Sequence, residues 1–93
     1  MEKRAKLEAV EKMLRELDDV KNSQISLLKK ITQLEAENIN VGVNVLDKAL
    51  PDVHDHADGS VDTITRLIEE LQNYRDDFAK KNNLLAAEEP TES

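Results

Sequence analysis

The segment LPDVHDHADGS, residues 50–60, interrupts an otherwise helical sequence. Proline pushes the residue before it out of the α region, so a helix is expected to end at Leu50. The segment also contains an Asp-Gly turn signal, and Ser60 or Asp58 is a suitable N-cap for a following helix. The sequence therefore predicts a polar turn over residues 51–60 between two helices.

Upstream of this turn, residues 1–50 are predicted to form one long amphipathic helix. Apolar residues recur there at alternating spacings of three and four, with no glycine or proline before residue 42. The stripe consists of Leu7, Val10, Leu14, Leu17, Leu28 and Ile31. If the alternating spacing continues strictly, Lys21 and Gln24 form a polar layer on the seam, the line of residues that faces the other helix. We favour a local shift that turns Val20 and Ile25 inward instead.

The predicted first helix has two places where it could bend, residues 22–23 and residues 39–44. A break at residues 22–23 would give a monomeric three-helix bundle, although the usual connecting loop is missing. Residues 39–45 alternate β-branched and polar residues, a pattern typical of a strand. No other segment alternates, so a strand here would need another chain to pair with. We predict helix, with Gly42 allowing a close backbone approach.

Downstream of the turn, residues 61–87 are predicted to form a second amphipathic helix. Its apolar stripe consists of Val61, Ile64, Ile68, Leu71 and Phe78. Residues 88–93 are acidic and poor in apolar side chains, which predicts a disordered tail. The expected fold is all-α: an antiparallel helical hairpin with a long first helix and coiled-coil character, assembling into a helical bundle.

The unequal lengths of the predicted helices indicate a binding surface. At about 1.5 Å per residue, the second helix would cover the first only down to about residue 22. A bare apolar stripe favours association, which makes partner-binding candidates of Leu7, Val10, Leu14 and Leu17. The alternating segment adds Ile39, Val41, Val43 and Val45. We expect a homo-oligomer, or a protein partner with a helical apolar surface.

Composition excludes several other classes of protein. No cysteine is present, which rules out disulfides and thiolate metal sites. No apolar run is long enough to span a bilayer, and the charged N-terminal sequence does not resemble a signal peptide. We therefore expect a soluble, cytoplasmic protein without membrane contact, with signal-independent export left open. The net charge of -7 disfavours direct binding of nucleic acid.

Only the turn segment carries residues that resemble a chemical site. His54 and His56 are weak candidates for zinc, nickel or copper, because His-x-His chelates a metal when its backbone is extended. A solvated polar turn explains them better, so we expect no metal and no cofactor. A nucleophile and base with a supporting third group are not identifiable, and we predict that the protein is not an enzyme.

The predicted function is a helical protein-protein interaction module, acting as an adaptor, chaperone or assembly subunit. An alternative is an acidic inhibitor that mimics nucleic acid with the carboxylates of residues 47–77. A two-helix chain of this length is also similar, by architecture, to the small hairpin partners of Gram-positive specialised secretion, the WXG family. The predicted turn lacks Trp-x-Gly, and Tyr74 is followed four residues later by Phe78 rather than by an acid. That resemblance implies a secretion partner or chaperone.

Overall fold

A computed structural model describes residues 1–84, and they form two long α-helices. Helix α1 spans Lys3–Val41 and helix α2 spans Asn44–Lys81, packed against each other as an antiparallel hairpin. The carboxylate of Glu2 caps α1 by accepting a hydrogen bond from the Ala5 amide at 2.8 Å. The predicted all-α hairpin is confirmed. Residues 85–93, which include the predicted tail, lie outside the described part.

The chain reverses at Gly42 and Val43, so the prediction of a turn over residues 51–60 is wrong. Gly42 has a φ of 71°, in the left-handed region that commonly ends a helix, and its amide donates to the Asn38 carbonyl at 2.7 Å. Space for a Cβ is available at Gly42, so its backbone conformation and not a close approach explains the glycine.

Asn38 holds the two helices together at this turn. Its side chain is buried, its Oδ1 accepts from the Val43 amide at 2.8 Å, and its Nδ2 donates to Asp47 Oδ1 at 2.7 Å. A buried amide side chain is costly unless it is hydrogen-bonded, and here both ends of the amide have partners. The network joins the last turn of α1 to the first turn of α2.

Residues 51–60 are helical because the packing of α2 outweighs the local stop signals. Pro51 lies inside α2, where it removes one backbone hydrogen bond. Leu50 and Ala57, on either side of the proline, are buried in the interface with α1. Leu50, His54, Ala57 and Val61 continue the alternating spacing of four and three through the predicted turn. This continuous stripe was the sequence signal for an unbroken helix.

The seam of α1 is also continuous. Lys21 and Gln24 are half-buried at the positions that the strict spacing assigns to them. Val20 is exposed, so the expected shift that turns it inward is wrong, whereas Ile25 is half-buried. Helix α1 runs through residues 22–23 without a break, which excludes the three-helix alternative.

The two helices have nearly the same length, 39 and 38 residues, so the predicted inequality between them is wrong. At the end of the hairpin opposite the turn, Leu7, Ala79 and Leu84 form a buried cluster against which Phe78 packs.

The molecule is a rod of 64 × 21 × 18 Å. Within the described residues, neither helix is long and apolar enough to cross a membrane.

Candidate interaction surfaces

The N-terminal stripe is covered by α2, so the prediction that it lies bare is wrong. Leu7 and Val10 are 0% and 4% exposed, and Leu14 and Leu17 are half-buried on the seam. The reason is the position of the turn, because a reversal at residues 42–43 makes α2 long enough to reach the start of α1. These side chains stabilise the hairpin itself.

The alternating segment lies at the turn and is exposed. Ile39, Val41 and Val45 are 82%, 71% and 72% exposed, and Val43 is exposed as well. We call these four residues the tip cluster. Helix α1 continues through Val41 and α2 begins at Asn44, so the segment is a helical reversal and not a strand. Aliphatic side chains this exposed contribute almost no burial to the stability of the hairpin.

A second apolar surface runs along one side of the rod, and the sequence analysis did not identify it. On α1, exposed apolar side chains recur at every seventh residue: Met13, Val20, Leu27, Leu34 and Val41. On α2, the same spacing relates Val53, Ser60, Leu67 and Tyr74, and the three large side chains among them are exposed. A seven-residue spacing keeps each column on one face of its helix.

Two contacts show that these columns share one side of the hairpin. Leu27 and Val53 line the same shallow cleft near the middle of the rod. Near its open end, the Lys6 ammonium, seven residues before Met13, lies 5.8 Å from the ring centroid of Tyr74. We call the surface formed by the two columns between Met13 and Tyr74 the apolar flank. It reaches the tip cluster at Val41.

The opposite side of the hairpin is more polar. Asp18 and Gln72 line one cleft there, and the seven-residue spacing adds Glu11, Ile25, Thr32 and Asp58 to the same side. Glu11 Oε2 accepts hydrogen bonds from Arg75 Nε at 3.0 Å and from a terminal guanidinium nitrogen. The hydrogen bond to Glu11 is the main cause that raises the pKa of Arg75 above its ordinary value. The side chains of this pair are about three-quarters buried.

The histidines of the predicted turn do not form a chelating pair. His54 lies on the seam, with its Nδ1 2.9 Å from Glu35 Oε1 across the hairpin, whereas His56 is exposed. Residues two apart on a helix do not face each other, so one metal ion cannot bind both side chains within this helix. Among residues 1–84, no group of three or more histidines and carboxylates is placed to hold a metal.

The carboxylates that suggest nucleic acid mimicry lie mostly on the outer face of α2. Asp55, Asp62, Glu69 and Asp76 are exposed and spaced seven residues apart, which forms an acidic column along the helix. Asp47 belongs instead to the turn, where it accepts from Asn38. The hairpin therefore has an acidic outer face as well as an apolar flank and tip.

Comparison of the chain with protein-family models, with curated proteins and with solved structures found no match. Its function has to be inferred from the surfaces described above.

Proposed function

We propose that this protein is a non-enzymatic interaction module that binds a helical protein partner through its tip cluster, as an adaptor, chaperone or assembly subunit. The observation that carries the proposal is the concentration of exposed aliphatic side chains within seven residues around the reversal, from Ile39 to Val45. Exposed apolar surface of this kind marks interaction sites in many soluble proteins.

The rigidity of the reversal supports the same function. Asn38 bonds to both Val43 and Asp47, so the tip cluster lies on a backbone that is already ordered. An ordered surface loses less conformational entropy on binding than a flexible loop would lose. The valine and isoleucine side chains are stiff and branched, which suits packing into the grooves of a partner helix.

The test is a binding measurement with two matched pairs of substitutions at the tip. Ile39→Gln with Val45→Gln removes apolar surface from exposed helical positions, and Asn40→Gln with Lys48→Gln changes polar side chains at the same end. A partner isolated from the native source should bind the first variant at least about tenfold more weakly than the second. Equal affinities for the two variants would contradict the proposal, and circular dichroism would confirm that both remain helical.

A second candidate function is inhibition of a nucleic-acid-binding protein by the acidic column. The even spacing of Asp55, Asp62, Glu69 and Asp76 on the exposed face of α2 favours it. Binding to a basic groove would weaken steeply as salt rises, whereas binding through the tip would not. Replacing the column with Asn and Gln would abolish such binding and leave binding through the tip intact.

A secretion role is the third candidate, suggested by architecture. Two helices of nearly equal length joined by a two-residue link form a simple antiparallel pair, the plan of the WXG-like partners considered above. Recovery of the protein from the medium of intact producing cells would support this role. Strict retention inside them would exclude it.

A further inference from the structure

From the apolar flank we propose a second binding site, which adjoins the tip at Val41: the flank packs against the flank of a second copy of this chain, related by a twofold axis, to form a four-helix bundle. Both helices contribute a column to the flank, so the surface is a face of the whole hairpin and not of one helix. In twofold homodimers, the commonest oligomers, each subunit contributes the same surface patch.

The flank has the length of a stable interface. Met13 and Val41, the latter beside the tip, are 28 residues apart, which is about 40 Å along a helix, and the column on α2 covers about 30 Å. The rod is 21 × 18 Å across, so one whole side of it over 40 Å presents roughly 800 Å², with the two columns along its middle. A standard protein interface buries about 800 Å² on each partner. A dimer of standard size would therefore use the flank together with the side chains that border it.

The distribution of charge matches a second copy. Each chain carries a net charge of -7, so two copies repel each other, and the repulsion is least where the centre of their contact surface has no carboxylates. The column on α1 from Met13 to Val41 contains no charged residue. The column on α2, which consists of Val53, Ser60, Leu67 and Tyr74, contains none either. At the open end the columns terminate in Lys6 and Lys81, so the uncharged band is bounded there by lysines.

The seam of the single hairpin is incompletely covered, which also favours a bundle. Only a few side chains of the described residues are buried, whereas most of the seam is half-buried, as in Leu28, Ile64 and Leu71. Two helices alone cannot enclose a core. In each seven residues, these helices have apolar residues at two seam positions and one flanking position, which is typical of helices in bundles. A second hairpin on the flank would bury more of the seam side chains that adjoin it, whereas Leu28 lines a cleft with Thr32 on the opposite side.

The test compares charge added to the flank with the same charge added to the polar side. Leu27→Glu with Leu67→Glu places two carboxylates on the flank, whereas Thr32→Glu with Gln72→Glu places them on the opposite side. Sedimentation equilibrium should show a dimer for the parent and the second variant. The flank variant should have a dissociation constant raised by roughly 100-fold or more, because each glutamate would lose its hydration in the interface.

A dilution series of the unmodified protein tests the proposal without any variant. In methyl NMR spectra, signals from Leu27, Leu34 and Leu67 should shift as the dimer dissociates, and the signal of Ile39 should not. A parent that stays monomeric at about 0.5 mM would overturn the proposal, as would equal weakening in both variants or shifts confined to other residues. These results are independent of partner binding at the tip, since the flank variant leaves Ile39 and Val45 unchanged.

Discussion

The two glycines of the chain have opposite roles, and the difference comes from backbone conformation. Gly42 ends α1 with a φ of 71°, where a side chain makes the conformation costly. Gly59 lies inside α2 in an ordinary helical conformation, where glycine is a poor helix former. Apart from the adjoining residues and helix backbone, neither glycine has a heavy atom within 4 Å of the place where a Cβ would be, so steric contact does not distinguish them.

The same substitution at the two glycines should therefore change stability in opposite directions. We expect Gly42→Ala to lower the free energy of unfolding by about 1–2 kcal/mol, because alanine is strained in the left-handed region. We expect Gly59→Ala to raise it by about 0.5–1 kcal/mol through the better helix propensity of alanine. Urea unfolding at one fixed protein concentration measures both. A stabilising Gly42→Ala would show that the chain does not reverse there.

At the scale of the helices, α2 shows where reasoning from the sequence succeeded and where it failed. The period of the apolar residues predicted two amphipathic helices and an antiparallel hairpin, and both are present. The position of the turn was missed because a proline and an Asp-Gly pair are local signals, whereas burial of Leu50 and Ala57 against α1 is a tertiary effect. Gly42, with an asparagine two residues away on each side, was the better turn signal.

Replacing the proline inside α2 tests this account. We expect Pro51→Ala to raise the free energy of unfolding by roughly 1–3 kcal/mol, because alanine restores an amide donor and removes the clash of the ring with the preceding turn. Asp52→Ala, at the exposed neighbouring position, is the control and should stay within about 0.5 kcal/mol of the parent. A Pro51→Ala variant no more stable than the parent would favour a turn over residues 51–60 in solution.

At the scale of the whole molecule, the hairpin is far from compact. Its radius of gyration is 20.1 Å, whereas a compact domain of this length would have about 12 Å. Such a rod exposes much of its apolar surface. The tip cluster was predicted from the β-branched residues of one short segment. The flank was missed because it is a property of both helices together, and its two columns become one surface only when the register of the hairpin is known.

Self-association should strengthen as salt is added. Two chains of net charge -7 repel each other over about 30 Å at 0.01 M ionic strength and over less than about 10 Å at 0.5 M, while the flank itself has no charges to be screened. We expect the dissociation constant of the dimer to fall by roughly 3- to 10-fold over this range. Sedimentation equilibrium in sodium chloride measures it.

The variant Thr32→Glu with Gln72→Glu is the control for this salt effect. It adds two negative charges to the -7 of the parent, which gives -9 per chain. Its dissociation constant should therefore fall more steeply with salt than that of the parent. Dimers that weaken as salt rises would indicate an interface held by ion pairs and not by the apolar flank.

The buried cluster of Leu7, Ala79 and Leu84 places the start of α1 beside the end of α2. A mechanical load applied at these two points would therefore act on the helix-helix contacts one layer at a time, beginning with the cluster, and would not shear all the contacts along the 64 Å rod at once. The hairpin would unfold progressively from its open end at low force. The hydrogen bonds of Asn38 beside Gly42 would be the last to separate.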